Sequence, residues 1–184
     1  MRKQVNTSKN TSINNGRLPK AFHDFSLNIR GSHVCDYGCG KYTSHIRDYV
    51  CECGGLSYNP YDPYNMPELE NYITAETART HGYDLVFCCN VLNVIDSDDV
   101  VIQIVETLIE WCKSGGIVVI QIYEGDKSGF GKCTKKDCYQ RNWKTGKYFE
   151  LIDPVLPYNY LAERYGNYIV ISDRRNIPFV NDWN

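Results

Sequence analysis

The sequence predicts a single α/β domain over residues 1–184, built on a mainly parallel β-sheet with helices on both faces. Three observations lead there. Short apolar runs recur along the chain, glycine or proline punctuates them, and stretches with helical spacing lie between. Strand, helix and strand in alternation require crossover connections, and right-handed crossovers build a parallel sheet. A chain of 184 residues buries roughly 70% of its unfolded surface, enough for one core and a squeeze for two.

The elements follow in order. Residues 1–20, MRKQVNTSKNTSINNGRLPK, are polar and lack periodicity, and read as a basic arm that stays flexible unless it folds over a ligand or partner. PKAFHDFSLNIR reads as a short helix, HVCDYGCG as a strand running into a glycine turn, and TSHIRDYVCEC as a helix capped by Thr43 or Ser44. LSYNPYD is a second strand that stops where prolines remove ladder donors. Pro67 opens a short helical stretch. GYDLVFCCNV is near-continuously apolar, as a strand covered on both faces must be. From Ser97 through VVIQIVETLIEWCKS, Val101, Ile104, Val105, Leu108 and Ile109 form one helical stripe, ended by Gly115-Gly116 before the strand IVVIQIY. YFELIDPVL and YGNYIVISD read as further strands, and the composition shift at Gly125 marks an insertion over 125–150 rather than a domain boundary.

The net charge of −2 conceals a pattern. Residues 1–30 carry +5, residues 31–124 carry −10, residues 125–150 carry +4 and the remainder −1. The segments 1–30 and 127–147 are therefore candidates for a nucleic-acid partner, with Tyr139, Trp143 and Tyr148 interleaved among the cations of the second as possible stacking rings. A lid over a small substrate would use similar residues. No apolar run approaches the ~20 residues of a membrane span, and neither end shows an apolar signal or lipidation motif, which points to a cytoplasmic protein without a membrane partner. The nine cysteines sit singly within strand-like and helix-like segments and read as reduced thiols. Cys51/Cys53 and Cys133/Cys138 lack the spacing of paired zinc ligands, and no metal site is expected.

In an open parallel sheet, ligands bind at the carboxyl ends of the strands, where the first strand-to-helix turn brings backbone donors close. Asp36-Tyr37-Gly38-Cys39-Gly40 occupies that place. A dinucleotide site would want a third glycine where Thr43 stands.

An acid two residues before a Gly-x-Gly turn resembles the first motif of the class I S-adenosylmethionine-dependent methyltransferases, which have a Rossmann-like fold. YDLVFCCNVLNVI and Gly115-Gly116-IVVIQIY resemble that family's fourth and fifth strands, so the likeness covers residues 33–124 as an ordered set. NVLNVI, YEGD and GKCTKKDCYQRN are also similar to small methyltransferase-like proteins of bacteria and their bacteriophages. The resemblance implies S-adenosylmethionine as cofactor, bound by Asp36, Gly38, Cys39 and Gly40, and by an acid at the second strand's end that accepts the ribose hydroxyls. Asp62 is the candidate, with Asn59 as its competitor and a ligand-free proline turn as the alternative. A third-strand acid for the adenine amino group would fall between Asp62 and Tyr83, where Glu76 is the only guess. Tyr42, after Gly40, would lie near the cofactor or narrow its pocket.

SYNPYDPYN, residues 57–65, holds near matches to the Asn-Pro-Pro-Tyr motif of enzymes that methylate exocyclic amino groups. That motif follows the fourth strand, whereas this stretch ends the second, so it reads as a turn. Asn90, past the fourth strand, is the better candidate to contact the methionine moiety or the acceptor. Cys88 and Cys89 lack the proline that accompanies a pyrimidine-attacking cysteine and read as small buried residues. Glu124 and Asp126, past the fifth strand, are candidates to hold or deprotonate an acceptor, or are solvated loop acids. The expected activity is methyl transfer, most readily to a nucleic acid; the alternatives are a small-molecule or protein acceptor, or a non-catalytic cofactor binder.

Overall fold

The structure is a computed structural model that describes residues 16–174. The basic arm therefore lies almost wholly outside the described residues. The elements run α1 (Lys20–Asp24), α2 (Ser26–Ile29), β1 (His33–Tyr37), α3 (Ser44–Glu52), β2 (Ser57–Tyr61), α4 (Glu68–His81), β3 (Tyr83–Cys89), α5 (Asp98–Trp111), β4 (Cys112–Gln121), β5 (Lys132–Lys135), β6 (Cys138–Gln140), α6 (Thr145–Ile152), β7 (Tyr160–Tyr165) and β8 (Tyr168–Asp173). Six strands form one sheet in the order β2-β1-β3-β4-β8-β7, while β5 and β6 form a separate hairpin. The four strands β2, β1, β3 and β4 are parallel, and β8 and β7 complete the sheet antiparallel. This is the predicted α/β fold.

The two faces follow from strand alternation. Cys35, Val86, Cys88, Val118, Ile120, Ile169 and Ile171 point to one side, where they pack with Ala78 of α4, Val101, Val105 and Leu108 of α5, and Tyr148 and Ile152 of α6. Val34, Leu85, Phe87, Val119 and Val170 point to the other, under Ala21, Phe22, Phe25 and Ile29 of the first two helices and Ile46 and Val50 of α3. Phe22 stacks on Phe87 with ring centroids 4.1 Å apart. Gln121, at the end of β4, accepts the Ala21 N–H at 2.8 Å and so fixes α1 near the carboxyl end of the sheet.

Four expectations need correction. YFELIDPVL was expected as a strand, but its first half lies in α6, where Thr145, Tyr148 and Ile152 are buried at helical spacing. The first strand of the final hairpin is instead β7, from Tyr160. The α5 helix stops at Trp111, and the CKSGG stretch enters β4 through a register shift opposite Tyr83 and Leu85. Finally, no strand lies between β2 and β3 among the described residues: a 14-residue helix, α4, covers the whole interval. Glu76 sits on that helix in an ion pair with Arg79, not at a strand tip. The sheet segment likened to a fourth strand is therefore the third, and β2 is the sheet's outer edge.

Phe22→Ala empties a fully buried site against Phe87. We expect a loss of about 3–5 kcal/mol of stability, read by urea denaturation with circular dichroism; a loss under about 1 kcal/mol would show that α1 does not close this face of the core.

Candidate active site

The candidate residues other than Asn59 and Glu76 gather at one end of the sheet. Asp36 and the glycine turn end β1, Asp62 follows β2, Asn90 follows β3, and Glu124 and Asp126 follow β4. All four strands are parallel, so these are their carboxyl ends, where helix starts and loop backbone converge. Asn59 lies within β2, its amide donating to Ser57 Oγ at 2.8 Å, so Asp62 takes the tip.

The glycine turn is fastened to the end of β2. Gly38 and Cys39 donate their N–H groups to the Tyr61 carbonyl at 2.6 and 3.2 Å, and Gly40 donates to Asp62 Oδ2 at 3.1 Å. The other oxygen, Oδ1, accepts from the N–H groups of Tyr64 and Asn65, both at 2.9 Å, and from Asn65 Nδ2 at 3.1 Å. Asn71 of α4 closes the clamp, accepting the Asp62 N–H and donating to its carbonyl, each at 2.9 Å. The expectation that these amides face a ligand is thus corrected. The amides of Gly38, Cys39 and Gly40 are spent inside the protein, and the glycines serve close approach instead: Gly38 has φ +75°, and a Cβ there would overlap the Val91 side chain. Cys39 is buried, and burial pushes its thiol well above the ordinary range.

Two carboxylates are left in this corner without a cation. Asp36 and Asp62 are both buried, and neither forms an ion pair among the described residues. Desolvation raises the Asp36 pKa to about 7 against the lowering effect of a 2.8 Å hydrogen bond from the Tyr58 hydroxyl, and the Asp62 charge raises it further. Asn90 adopts φ +59°, anchored by its N–H to the Gln121 carbonyl at 2.8 Å, and its Oδ1 is buried without a hydrogen-bond partner. A buried polar atom left open in this way marks a place for a donor that the chain does not supply. Cys88 and Cys89 hold their protons firmly, burial raising both thiols, so neither is a nucleophile at neutral pH.

The insertion forms the wall beyond β4. Glu124 Oε1 accepts from the Thr145 N–H at 2.7 Å and the Thr145 hydroxyl at 2.8 Å, holding the start of α6, while Oε2 pairs with Lys127 at 3.0 Å. Burial pushes the Glu124 carboxyl up, but these bonds outweigh it and leave the pKa below its ordinary value. Asp126 pairs with Lys132 at 2.7 Å, which with Ser128 drives its pKa well below the carboxylate range. Arg141 is the least expected member. It looked like a surface cation, yet its side chain is 2% exposed, bonded to the Ile95 carbonyl and to Asp98 at 2.6 Å, with its own N–H on the Asn93 carbonyl. Trp143 lies between Arg141 and Lys147, whose charged groups sit 4.3 and 4.0 Å from its ring centroid, and Tyr148 is fully buried. Tyr148 is closed to a base, and the half-buried Trp143 already carries two cations. Near the strand tips the exposed rings are Tyr42, Tyr64 and Tyr123, respectively 52, 49 and 60% exposed, each within two residues of Gly40, Asp62 or Gln121. Sequence patterning did not separate Tyr58, Asn93 and Arg141 from neighbours of the same type; only the fold brings them in.

No protein-family model matches the chain, and no curated protein matches it. Among solved structures it is similar to Burkholderia thailandensis 1,6-didemethyltoxoflavin-N1-methyltransferase, crystallised with 1,6-didemethyltoxoflavin and S-adenosylhomocysteine, with a TM-score of 0.57 and 16% identity over 81% of this chain and 73% of that one. It is also similar to cofactor-bound Rv0187 from MTB, with a TM-score of 0.50 and 12% identity over 91% of this chain and 86% of the other. The chain has the Rossmann-like fold of S-adenosylmethionine-dependent methyltransferases.

Two tests follow. Gly38→Ala forces a Cβ into Val91 at a left-handed backbone position; we expect a destabilisation of roughly 1–3 kcal/mol by thermal or urea unfolding, and no change would show that the turn accommodates a side chain. The folded pKa of Asp36, about 7, lies above its unfolded value near 3.8. Its protonated form favours folding at low pH, and that contribution disappears as pH rises through 7. Wild type should therefore lose stability relative to Asp36→Asn between pH 5 and about 8, by about 1–4 kcal/mol; parallel stability profiles would contradict the assignment.

Proposed function

We propose that this protein is an S-adenosylmethionine-dependent methyltransferase whose acceptor is a planar small molecule. The observation that carries the reading is the pair of buried carboxylates Asp36 and Asp62 at neighbouring strand tips, without an ion pair among the described residues, with the open Asn90 Oδ1 at the third. A cationic nucleoside suits that set of acceptors. When bound, S-adenosylmethionine supplies an electrophilic methyl group on a sulfonium centre. Asp36 gives the pocket negative charge once ionised, the free capacity of Asp62 Oδ2 accepts a hydroxyl proton, and Asn90 Oδ1 accepts an N–H. Gly38 lets the turn close against the Val91 side chain, and Cys39 is buried beside it.

The chain's share of the reaction is positioning and exclusion of water. Tyr42, Tyr64 and Tyr123 offer aromatic faces to flat ligands near three strand tips. Glu124 and Asp126 enter as fasteners of the acceptor wall, since carboxyls held below their usual pKa range accept protons poorly. That the 1,6-didemethyltoxoflavin enzyme acts on a small heterocycle is consistent with this reading.

A nucleic-acid acceptor is the second reading. Its support is narrower than composition suggested, because Lys127, Lys132 and Arg141 are ion-paired internally and Lys147 covers Trp143. What favours it is Lys135, Lys136 and Lys144, exposed and without an ion pair among the described residues, with Phe130 79% exposed on the same insertion.

Calorimetry with S-adenosylmethionine should show binding that strengthens as pH rises from 6 to 8 and weakens at least about tenfold in Asp62→Ala, an effect of ~1.4 kcal/mol; no binding at either pH refutes the proposal. Methyl-labelled cofactor offered with metabolite and nucleic-acid pools then separates the acceptors. Label in a metabolite, at a rate nearly independent of salt, supports the first reading; label in nucleic acid, at a rate falling steeply with salt, supports the second; binding without label transfer leaves a non-catalytic binder.

A further inference from the structure

The α4 helix presents two faces of opposite purpose. Thr74 and Ala78 are buried against the sheet, and Asn71 holds the Asp62 turn. On the far side Leu69, Tyr72 and Ile73 are 68, 64 and 50% exposed. Their spacing of three and four residues aligns them in one stripe on the helix surface. A soluble helix ordinarily turns such a stripe inward; here it faces away from the core, where contiguous apolar surface marks an interaction site.

The surroundings narrow what covers it. The stripe flanks the β2 edge of the sheet, left open because no strand lies between β2 and β3 among the described residues. That edge contains Pro60, which lacks a ladder donor, and so is a poor template for an added strand. A helix is the better occupant. The charges on α4 then specify which helix. Glu68 and Arg79 are eleven residues apart, about three turns, so they lie on the same flank of the stripe at opposite ends, roughly 16 Å apart along the axis. A two-fold axis perpendicular to two antiparallel copies of α4 keeps each flank on its own side and reverses its ends. Glu68 of one copy thereby meets Arg79 of the other, twice. Arg79 already pairs with Glu76 of its own helix and retains donors for a second carboxylate.

We infer that this protein forms a homodimer through antiparallel packing of α4 on α4, with Tyr72 and Ile73 of both copies meeting at the two-fold axis, Leu69 of each copy lying against the Glu76–Thr80 turn of the other, and reciprocal Glu68–Arg79 ion pairs at the two ends. Such an interface is isologous and closed, so it ends at two subunits. The dimer is independent of the proposed chemistry, and neither depends on the other's success.

Light scattering coupled to gel filtration on the full chain, up to about 100 μM, tests it. Wild type should run as a dimer, Ile73→Asp and Glu68→Arg should each shift it to monomer, and Glu68→Arg combined with Arg79→Glu should restore the dimer. Circular dichroism shows that the variants remain folded, as substitutions on an exposed face should. A wild-type monomer at every concentration overturns the inference. So does a dimer that survives both single substitutions, or a charge-swapped double variant that stays monomeric.

Discussion

The candidate site depends on one fastening, the attachment of the first strand's glycine turn to the tip of the second strand. Three successive amides, those of Gly38, Cys39 and Gly40, end on the Tyr61 carbonyl and the Asp62 carboxylate. The same carboxylate holds the turn that follows β2, and Asn71 of α4 holds its backbone. One buried anion thus organises two loops and a helix. Such a carboxylate must be hydrogen-bonded to be tolerated, and three of its four donors are backbone amides, the fourth being Asn65 Nδ2. The consequence is a rigid corner of carboxylates without a counter-ion among the described residues, which is a binding preference built into the fold.

The second organising feature is the insertion's attachment to the sheet. Glu124 and Arg141 each tie it to a different part of the framework, the carboxylate to the start of α6 and the guanidinium to the loop after β3. Burying a guanidinium costs several kcal/mol unless its donors are met; Nε donates to the Ile95 carbonyl and Nη1 to Asp98, while Nη2 is buried without a hydrogen-bond partner. The wall beyond β4 is consequently a fixed surface on the described residues rather than a loose basic loop, and three of its seven cations, Lys127, Lys132 and Arg141, are consumed in holding it together.

Much of the fold was legible because the signals were local. Apolar runs such as LVFCC and IVVIQ, the stripe of α5, and an acid before Gly-x-Gly all act within a few residues. The positions of Asp36, Asp62 and Asn90 at strand tips followed from them. Other features were not legible because they depend on long-range partners. YFELI has strand-like composition, yet burial of Thr145, Tyr148 and Ile152 on one side and a cap from Glu124, 21 residues earlier, make it helical. Arg141 reads as one cation in a basic run until the fold brings Asp98 beside it. The glycine turn showed a further limit: its residues marked the place correctly, but which atoms remained for a ligand depended on a strand 20 residues away.

The most direct measurement of the central claim is a crystal structure of the protein with S-adenosylhomocysteine. The account predicts density for the nucleoside across the tips of β1, β2 and β3, touching Asp36, Asp62 and Asn90, with the Gly40–Asp62 bond intact. A ligand seated elsewhere, or a corner that stays closed at saturating ligand, would contradict it.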